Sequence, residues 1–229
     1  MDKVKVGILG LGAISGIYLK NLTELFREVE VEGVYDLVPE KIETAKKEYG
    51  IAKGYSSMKE LLEDPAIEIV LNLTRPFEHY ETTKAALLAG KHVYSEKPLA
   101  ATYDEGKELA ALAMERGLLL GGAPDTFLGA GIQTCRKLID DGFIGRPIGG
   151  CARMICHGHE SWHPAPEFYY QFGGGPMMDM GPYYLTALVN MLGRVRGLTG
   201  ITSKSFETRT VTSKPHYGQT VQVEVPTHV

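Results

Sequence analysis

Short apolar runs alternate with amphipathic helical patterns along the first 122 residues of the chain. The apolar runs predict strands at 4–10, 29–35, 67–73, 92–95 and 118–121, with helices filling the intervals. Strands that alternate with helices are typical of βαβ units and of a parallel sheet that is buried on both faces. The pattern therefore predicts a doubly wound α/β domain over residues 1–122.

Residues that start and stop helices support this prediction. Pro39 stands where a first helical turn tolerates proline, and Thr102 and Glu105 have the spacing of a capping box. Three glycines each follow a helical stretch, where a left-handed residue commonly ends a helix: Gly50, Gly90 and Gly117.

After Gly122 the sequence becomes rich in Pro and Gly loops, with one helical pattern near 131–141. β-rich stretches follow at 148–156, 198–206 and 221–225. This half predicts a second, α+β domain over 123–229, built on an open sheet. Because the chain stops at Val229 inside a strand-like stretch, we expect that sheet to be truncated at its C-terminus.

Composition excludes several classes of function. The formal net charge is −4, with charged residues at 23%, so no general field attracts nucleic acid or an anionic membrane. No run approaches the roughly 18 apolar residues of a membrane span. The three cysteines form neither a CxxC pair nor an even disulfide set, which favours a reducing, cytoplasmic setting.

A glycine-rich segment, GLGAISG over 10–16, follows the first predicted strand and opens a helix. That context is the one a dinucleotide fingerprint requires, because Gly10 permits the tight turn and Gly12 lets the backbone approach a pyrophosphate. The helix N-terminus, with Ala13 and Ile14, then presents N–H groups to the phosphates. The third small position is Ser15, with Gly16 one residue late, and a ligand-free glycine turn is the alternative.

Asp36 ends the second predicted strand, where a carboxylate accepts the hydroxyls of an adenosine ribose. No Arg or Lys follows it immediately to hold a 2′-phosphate, so the sequence favours NAD over NADP. Two alternatives stay open for Asp36: a solvated turn or helix-cap aspartate before Pro39, and the equivalent acid of a methyltransferase.

The segment from Ala89 to Pro98 runs from a helix stop through a strand into Glu96-Lys97-Pro98. Ligands of open α/β sheets bind at the carboxyl ends of the strands, so we expect Lys97 to face the cofactor crevice. A surface lysine before a loop proline is the alternative.

Together the Gly10 loop, Asp36, the 74–79 segment, AGKHV, Glu96-Lys97-Pro98 and a later GGGPMMDMG stretch resemble the glucose-fructose oxidoreductase, inositol dehydrogenase and rhizopine-catabolism (Gfo/Idh/MocA) family. The motifs cover most of the chain in the family's order. The resemblance implies a Rossmann domain followed by a substrate domain whose open sheet mediates homo-oligomerisation.

It also implies hydride transfer between a nicotinamide and a hydroxyl-bearing carbon of a sugar or cyclitol. Lys97 is expected to transfer the hydroxyl proton and to touch the nicotinamide ribose with Glu96 beside it. Partial burial of an ammonium near an alkoxide suits that role.

Residues 173–183 resemble a family segment in which an Asp is followed four residues later by a His. Asp179 matches, but Tyr183 stands at the position of the His. Several interpretations of Tyr183 stay open. Tyr183 donates a hydrogen bond to the substrate oxygen, or it is an aromatic that packs the helix. Alternatively, Lys97 acts alone, or the protein catalyses a different reaction. If the segment is helical, positions 179 and 183 share a face.

The stretch Thr74-Arg75-Pro76-Phe77-Glu78-His79 keeps the family's Thr and His spacing. We expect cofactor contacts from Thr74, and for His79 either a cofactor contact or a structural role at a helix start.

The loop His157-Gly158-His159-Glu160-Ser161-Trp162-His163 holds the chain's one Trp. Its His and Glu spacing does not match a known metal motif, so we expect no metal site. A sugar-binding loop fits better, with His159, Trp162 and His163 as the candidate contacts and Tyr169 and Tyr170 in the same wall; a plain structured loop is the alternative.

Two other functions stay open. One is a non-catalytic dinucleotide-binding sensor with the same fold, which Lys97 and Asp179 disfavour. The other is a family member that uses NAD transiently for elimination or glycoside cleavage.

Overall fold

The computed structural model describes residues 2–229, which form two compact units divided between Ala123 and Pro124. The first unit is a six-stranded parallel sheet in the order β3-β2-β1-β4-β5-β6. Its strands are β1 Val4–Leu9, β2 Val29–Tyr35, β3 Lys53–Gly54, β4 Ile69–Asn72, β5 His92–Ser95 and β6 Leu120–Gly122.

Five α-helices connect these strands. They are α1 Ser15–Lys20, continued by a π-helical segment at Asn21–Leu25, then α2 Pro39–Tyr49, α3 Met58–Glu63, α4 His79–Leu88 after a 3-10 turn at Pro76–Glu78, and α5 Tyr103–Glu115. One buried cluster packs the sheet against α3, α4 and α5 through Leu61, Leu87 and Leu109, and another packs it against α1 and α2 through Leu19 and Ile42. The predicted α/β sheet with helices on both faces is confirmed.

The predicted helix boundaries have the expected geometry. The three glycines that end helices all have positive φ angles: Gly50 at 69°, Gly90 at 78° and Gly117 at 65°. The capping box is formed, because Thr102 Oγ1 accepts from the Glu105 N–H at 3.3 Å and the Glu105 carboxylate accepts from the Thr102 N–H at 3.0 Å. Each device satisfies backbone groups that a helix end leaves unpaired.

The second unit combines short helices with a two-stranded antiparallel sheet. Its elements are a 3-10 turn at Asp125–Leu128, α6 Ala130–Asp140, a 3-10 turn at His159–Ser161, α7 Glu167–Tyr170, α8 Gly175–Asp179, α9 Gly181–Leu192, β7 Thr208–Thr210 and β8 Thr220–Gln222. Its buried core joins Tyr169 and Tyr170 of α7 to Val211, Val221 and Val223 around the hairpin.

Two predicted β stretches of this unit are wrong. Residues 148–156 contain no strand, and residues 198–206 contribute only an isolated bridge from Ser203 to His228. The apolar side chains that suggested strands are open to solvent, with Ile148 at 101% and Leu198 at 89% relative exposure. An apolar run needs a hydrogen-bonded neighbour to become a strand, and these stretches do not gain one among residues 2–229.

No helix within residues 2–229 combines the length and the apolar character that crossing a membrane requires.

Candidate active site

The sheet places the predicted cofactor residues in one row. Leu9 pairs with Tyr35 on one side and with Asn72 on the other, and Asn72 pairs with Ser95. Since these residues end their strands, the residues that follow them emerge together at the carboxyl edge of the sheet. They are Gly10, Asp36, Thr74 after Leu73, and Glu96 with Lys97.

The turn at Gly10 requires glycine. Its φ angle is 95°, and a Cβ atom there would lie 2.6 Å from the Leu73 carbonyl oxygen. Gly12, Ala13 and Ile14 are exposed, and a Cβ atom on Gly12 would meet nothing within 4 Å. The loop thus leaves open space in front of its backbone, as a bound pyrophosphate needs.

Ser15 takes the place of the third glycine without opening the turn. Its side chain is buried, and its Oγ donates to the Gly12 carbonyl at 2.8 Å. A Cβ atom on Gly16 would lie 3.7 Å from the Tyr49 hydroxyl, an ordinary contact distance. Ser15 therefore ties the loop to the start of α1, and the displaced Gly16 lies against α2.

The carboxylate of Asp36 is held on both oxygens. Oδ2 accepts from the Leu11 N–H at 2.7 Å, and Oδ1 accepts from the Val38 N–H at 2.9 Å. The Lys41 ammonium lies 3.6 Å from Oδ1. A carboxylate has about four acceptor sites, so two remain for the hydroxyls of a ribose.

A buried network lies below the ends of β4 and β5. Asn72 is fully buried, its Oδ1 accepts from the Thr74 hydroxyl at 2.7 Å, and its Nδ2 donates to the His79 carbonyl at 3.2 Å and to Thr83 at 3.0 Å. The sequence prediction did not include Asn72. The signal that could have identified Asn72 is an amide at the end of an otherwise apolar strand, Ile69–Asn72.

His79 lies inside this network. It is 1% exposed, with Nδ1 2.6 Å from the Pro98 carbonyl and Nε2 2.9 Å from the Thr74 carbonyl. Burial lowers the pKa of His79. Of the two roles expected for His79, this position favours the structural one, because the ring links the loop after β4 to the loop after β5.

The Glu96 carboxylate bridges α1 and the loop that carries Lys97. Its Oε1 accepts from the Tyr18 hydroxyl at 2.7 Å, and its Oε2 accepts from the Lys97 N–H at 3.0 Å. The Glu96 N–H in turn donates to the Asn72 carbonyl at 2.8 Å. The backbone at Glu96 and Lys97 is therefore held by contacts with β4 and with α1.

In the second unit, Asp179 and Tyr183 lie on different helices. Asp179 is the last residue of α8 and Tyr183 the third of α9, and Met180 lies between the two helices. The sequence predicted a shared face only if one helix carries both residues, and here two helices carry them. The spacing of four residues no longer places the two side chains on one face by itself.

The predicted aromatic loop forms a cluster. His159 stacks on Tyr169 with ring centroids 3.9 Å apart, Trp162 lies 4.8 Å from His159, and the His163 ring meets Phe168 edge-on at 5.0 Å. Trp162 is 61% exposed and His159 only 5%. Burial lowers the pKa of His163.

Glu160 anchors this loop to the hairpin. Its carboxylate accepts hydrogen bonds from the Tyr170 hydroxyl and the Arg209 guanidinium, and its carbonyl accepts from the Thr212 N–H at 2.8 Å. Burial opposes ionisation of Glu160, but these hydrogen bonds outweigh it and leave its pKa lowered. Within the described part of the chain, no group of three or more His, Cys, Asp or Glu residues has the arrangement of a metal site.

Two family models match the chain. Residues 4–122 match an oxidoreductase family with an NAD-binding Rossmann fold, and residues 132–228 match the GFO/IDH/MocA C-terminal domain. Of the curated relatives, an inositol 2-dehydrogenase/D-chiro-inositol 3-dehydrogenase of Lactiplantibacillus plantarum is 36% identical over 152 residues, which are 63% of this chain and 42% of the relative. The NADP⁺-dependent scyllo-inositol 2-dehydrogenase IolW of Bacillus subtilis is 34% identical over 144 residues, 63% of this chain and 39% of that enzyme.

The crystal structure of an NAD-binding oxidoreductase from Klebsiella pneumoniae has the same fold, with a TM-score of 0.80 at 23% identity over 98% of this chain and 62% of that one. The match to this chain covers less than half the length of each of the two inositol dehydrogenases. With a family model matching more than half of its residues, the chain belongs to the GFO/IDH/MocA oxidoreductase family, with a Rossmann domain followed by the family's C-terminal domain.

Proposed function

We propose that this protein is an NAD-dependent dehydrogenase that oxidises a hydroxyl-bearing carbon of a cyclitol or sugar. The observation that carries the proposal is the row of Gly10, Asp36, Thr74 and Lys97 at one edge of the sheet. The inositol dehydrogenases among the relatives support the substrate class.

The first unit fits a dinucleotide at three points. The exposed Gly12–Ile14 backbone faces open space for a pyrophosphate, Asp36 keeps acceptor sites for the adenosine ribose, and Thr74 is held by Asn72 at the next strand end. A bound nicotinamide would supply the hydride acceptor. Glu96 and Lys97 would hold its ribose.

The charges around Asp36 favour NAD. A 2′-phosphate at this position would bring its negative charge close to the Asp36 carboxylate, which costs binding energy. Lys41, five residues further along the chain, offsets part of that cost because its ammonium is 3.6 Å from Asp36. We therefore expect weaker but measurable binding of NADP.

Lys97 is assigned the proton transfer. As hydride leaves the carbon, the hydroxyl proton must leave the oxygen, and an amine held in place by its backbone accepts it or stabilises the alkoxide. The hydrogen bond from the Lys97 N–H to Glu96, itself held by Tyr18, supplies that fixed position. Within the second unit, Asp179 and Tyr183 are proposed as acid–base residues.

Trp162 and His163 are proposed to bind the sugar. An exposed indole face packs against the C–H surface of a sugar ring, and imidazole nitrogens bond its hydroxyls. Trp162 has that exposure, and it lies edge-on to His163 at 5.3 Å.

The test combines calorimetric titration with a turnover screen of cyclitols and sugars. NAD and NADP, each in both redox states, are titrated into the wild-type chain and into Asp36→Ala and Lys41→Ala variants. We expect Asp36→Ala to abolish the preference for NAD, and Lys41→Ala to weaken NADP binding more than NAD binding. A wild-type chain that binds neither dinucleotide contradicts the proposal.

Turnover is compared between Lys97→Met and Lys107→Met, which removes an exposed lysine of α5. Loss of a positioned proton-transfer group costs about 10²–10⁴-fold in rate. We expect that loss for Lys97→Met with NAD binding retained, and no loss for Lys107→Met. Dinucleotide binding without turnover of any cyclitol or sugar would favour the non-catalytic sensor.

A further inference from the structure

His159 makes a single directed polar contact through one ring nitrogen. Its Nε2 lies 3.1 Å from Oδ2 of Asp179. Its Nδ1 is buried and has no hydrogen-bond partner among residues 2–229. A carboxylate oxygen only accepts hydrogen bonds, so the ring proton belongs on Nε2. Nδ1 then buries an unpaired lone pair, which costs less than burying an unpaired N–H.

Aromatic contacts fix the plane of the His159 ring. The ring stacks on Tyr169 at 3.9 Å with planes 15° apart, and Phe168 meets it edge-on at 5.8 Å and 88°. The ring is 5% exposed, so it cannot offer a broad face to a substrate. Its direction toward Asp179 is thus set by packing before any ligand arrives.

Asp179 lies beside this ring. It is the last residue of the five-residue helix α8, and Met180 separates it from α9. The end of a short helix restrains a side chain weakly, because few neighbouring turns pack around it. The side chain of Asp179 is nevertheless only 13% exposed, beside the His159 ring.

We infer that His159 is a positioning residue, which holds the Asp179 carboxylate in its orientation through an Nε2–H hydrogen bond. The inference rests on the proposed function for the role of Asp179 in turnover. It assigns His159 to the support of Asp179 rather than to direct contact with a sugar, and it leaves that contact to Trp162 and His163. Hydrogen bonds that orient a reacting group typically change rates by tenfold or more.

The first part of the test requires no substrate. Protein labelled with ¹⁵N-histidine is examined by long-range ¹H–¹⁵N NMR at pH 8, where the tautomer of each neutral imidazole is read directly. We expect His159 to carry its proton on Nε2, and the Nε2–H resonance to move in an Asp179→Asn variant. A proton on Nδ1, or a resonance unaffected by Asp179→Asn, overturns the inference.

The second part compares two substitutions during turnover. His159→Phe keeps the stacked ring and removes the N–H, whereas His159→Gln places an amide N–H close to the position of Nε2. We expect kcat to fall about tenfold or more in His159→Phe with KM little changed, and His159→Gln to recover most of it. His216→Phe, the same change in the β7–β8 connection, serves as the control.

Equal kcat losses in the two variants would overturn the role of the hydrogen bond. The two proposals fail differently. If His159 carries its proton on Nε2 and responds to Asp179→Asn, but the chain turns over no cyclitol or sugar, the proposed dehydrogenase function is rejected and the His159–Asp179 hydrogen bond is supported. If the chain turns over such a substrate but His159 carries its proton on Nδ1, the function is supported and the hydrogen bond is rejected.

Discussion

The two units bury their polar groups in different ways. In the first unit, Asn72 and His79 bond to backbone groups near the ends of β4 and β5 and at the start of α4, and to two Thr hydroxyls. In the second, the Glu160 carboxylate is held by the Tyr170 hydroxyl and by the Arg209 guanidinium, which is 49 residues away in sequence.

The difference shows what each network depends on. A parallel sheet repeats the same backbone geometry, so the loss of one side chain in the first unit leaves the register of the strands in place. The second unit has a two-stranded sheet and a small apolar core, and a buried ion pair joins its loop to its hairpin. We expect the second unit to be much more sensitive to the loss of a single charge.

Removing the Glu160 carboxylate tests this most directly. Glu160→Ala leaves the Arg209 guanidinium, 19% exposed, without its carboxylate and, within residues 2–229, with only the His157 carbonyl as acceptor, and breaking a buried pair from one side costs about 3–5 kcal/mol. Trp162 is the only Trp and lies in the second unit, so urea unfolding followed by Trp fluorescence reports on that unit. We expect its transition to move to much lower urea, with dinucleotide binding by the first unit retained.

An exposed ion pair of the same unit supplies the control. Glu207, 81% exposed, pairs with Lys204 at 2.6 Å. Surface pairs of this kind contribute about 0–1 kcal/mol, so Glu207→Ala should barely move the Trp transition. Similar transitions for the two variants would mean that the second unit does not depend on its buried pair.

His79 provides the corresponding test in the first unit. His79→Phe removes both ring nitrogens, which lie 2.6 Å from the Pro98 carbonyl and 2.9 Å from the Thr74 carbonyl, and an unsatisfied buried polar group costs about 1–3 kcal/mol. Hydrogen exchange of amides in α4 and β5 measures the local loss. We expect faster exchange there and an unchanged Trp162 transition; a loss as large as that of Glu160→Ala would erase the contrast between the units.

His79 makes the stability of the wild-type first unit depend on pH, and the sign of this dependence follows from the direction of its pKa shift. Burial lowers the pKa of His79 below its ordinary 6.5 in the folded chain. As pH falls through about 6.5, the unfolded chain takes up a proton that the folded chain resists, so stability is complete above that pH and declines below it. His79→Phe should show a smaller difference in α4 exchange-derived stability between pH 8 and pH 5.5 than the wild type, whereas His216→Phe should keep that of the wild type.

The same contrast explains what sequence reasoning could reach. The alternation of strands and helices is a local signal, and it predicted β2 and β5 to the residue. It missed β3 because Lys53–Gly54 has only two residues and neither is apolar. In the second unit, apolar runs at 148–156 and 198–206 gave the same local signal without a neighbouring strand to pair with.

The candidate site divides in the same manner. The sequence could predict that the Gly10 loop and Asp36 lie at one edge, because parallel strands bring their carboxyl ends together and this follows from topology alone. The hydrogen bond from Tyr18 to Glu96 spans 78 residues, and no spacing rule connects those positions. The contact between His159 and Asp179 depends in the same way on how loops pack around Tyr169, which the sequence does not display.

The smallest expected effect is at the capping box of α5. Thr102→Ala removes the hydroxyl that accepts from the Glu105 N–H, and loss of an N-cap costs about 1 kcal/mol. Thr102→Ser keeps the acceptor and is the matched control. Hydrogen exchange in the first turn of α5 should accelerate in the Ala variant alone. Because the cap is local and α5 is held by Leu109 in the core, β5 and dinucleotide binding should not respond; a response at β5 would show that the first unit is less tolerant of local loss than its repeated backbone geometry implies.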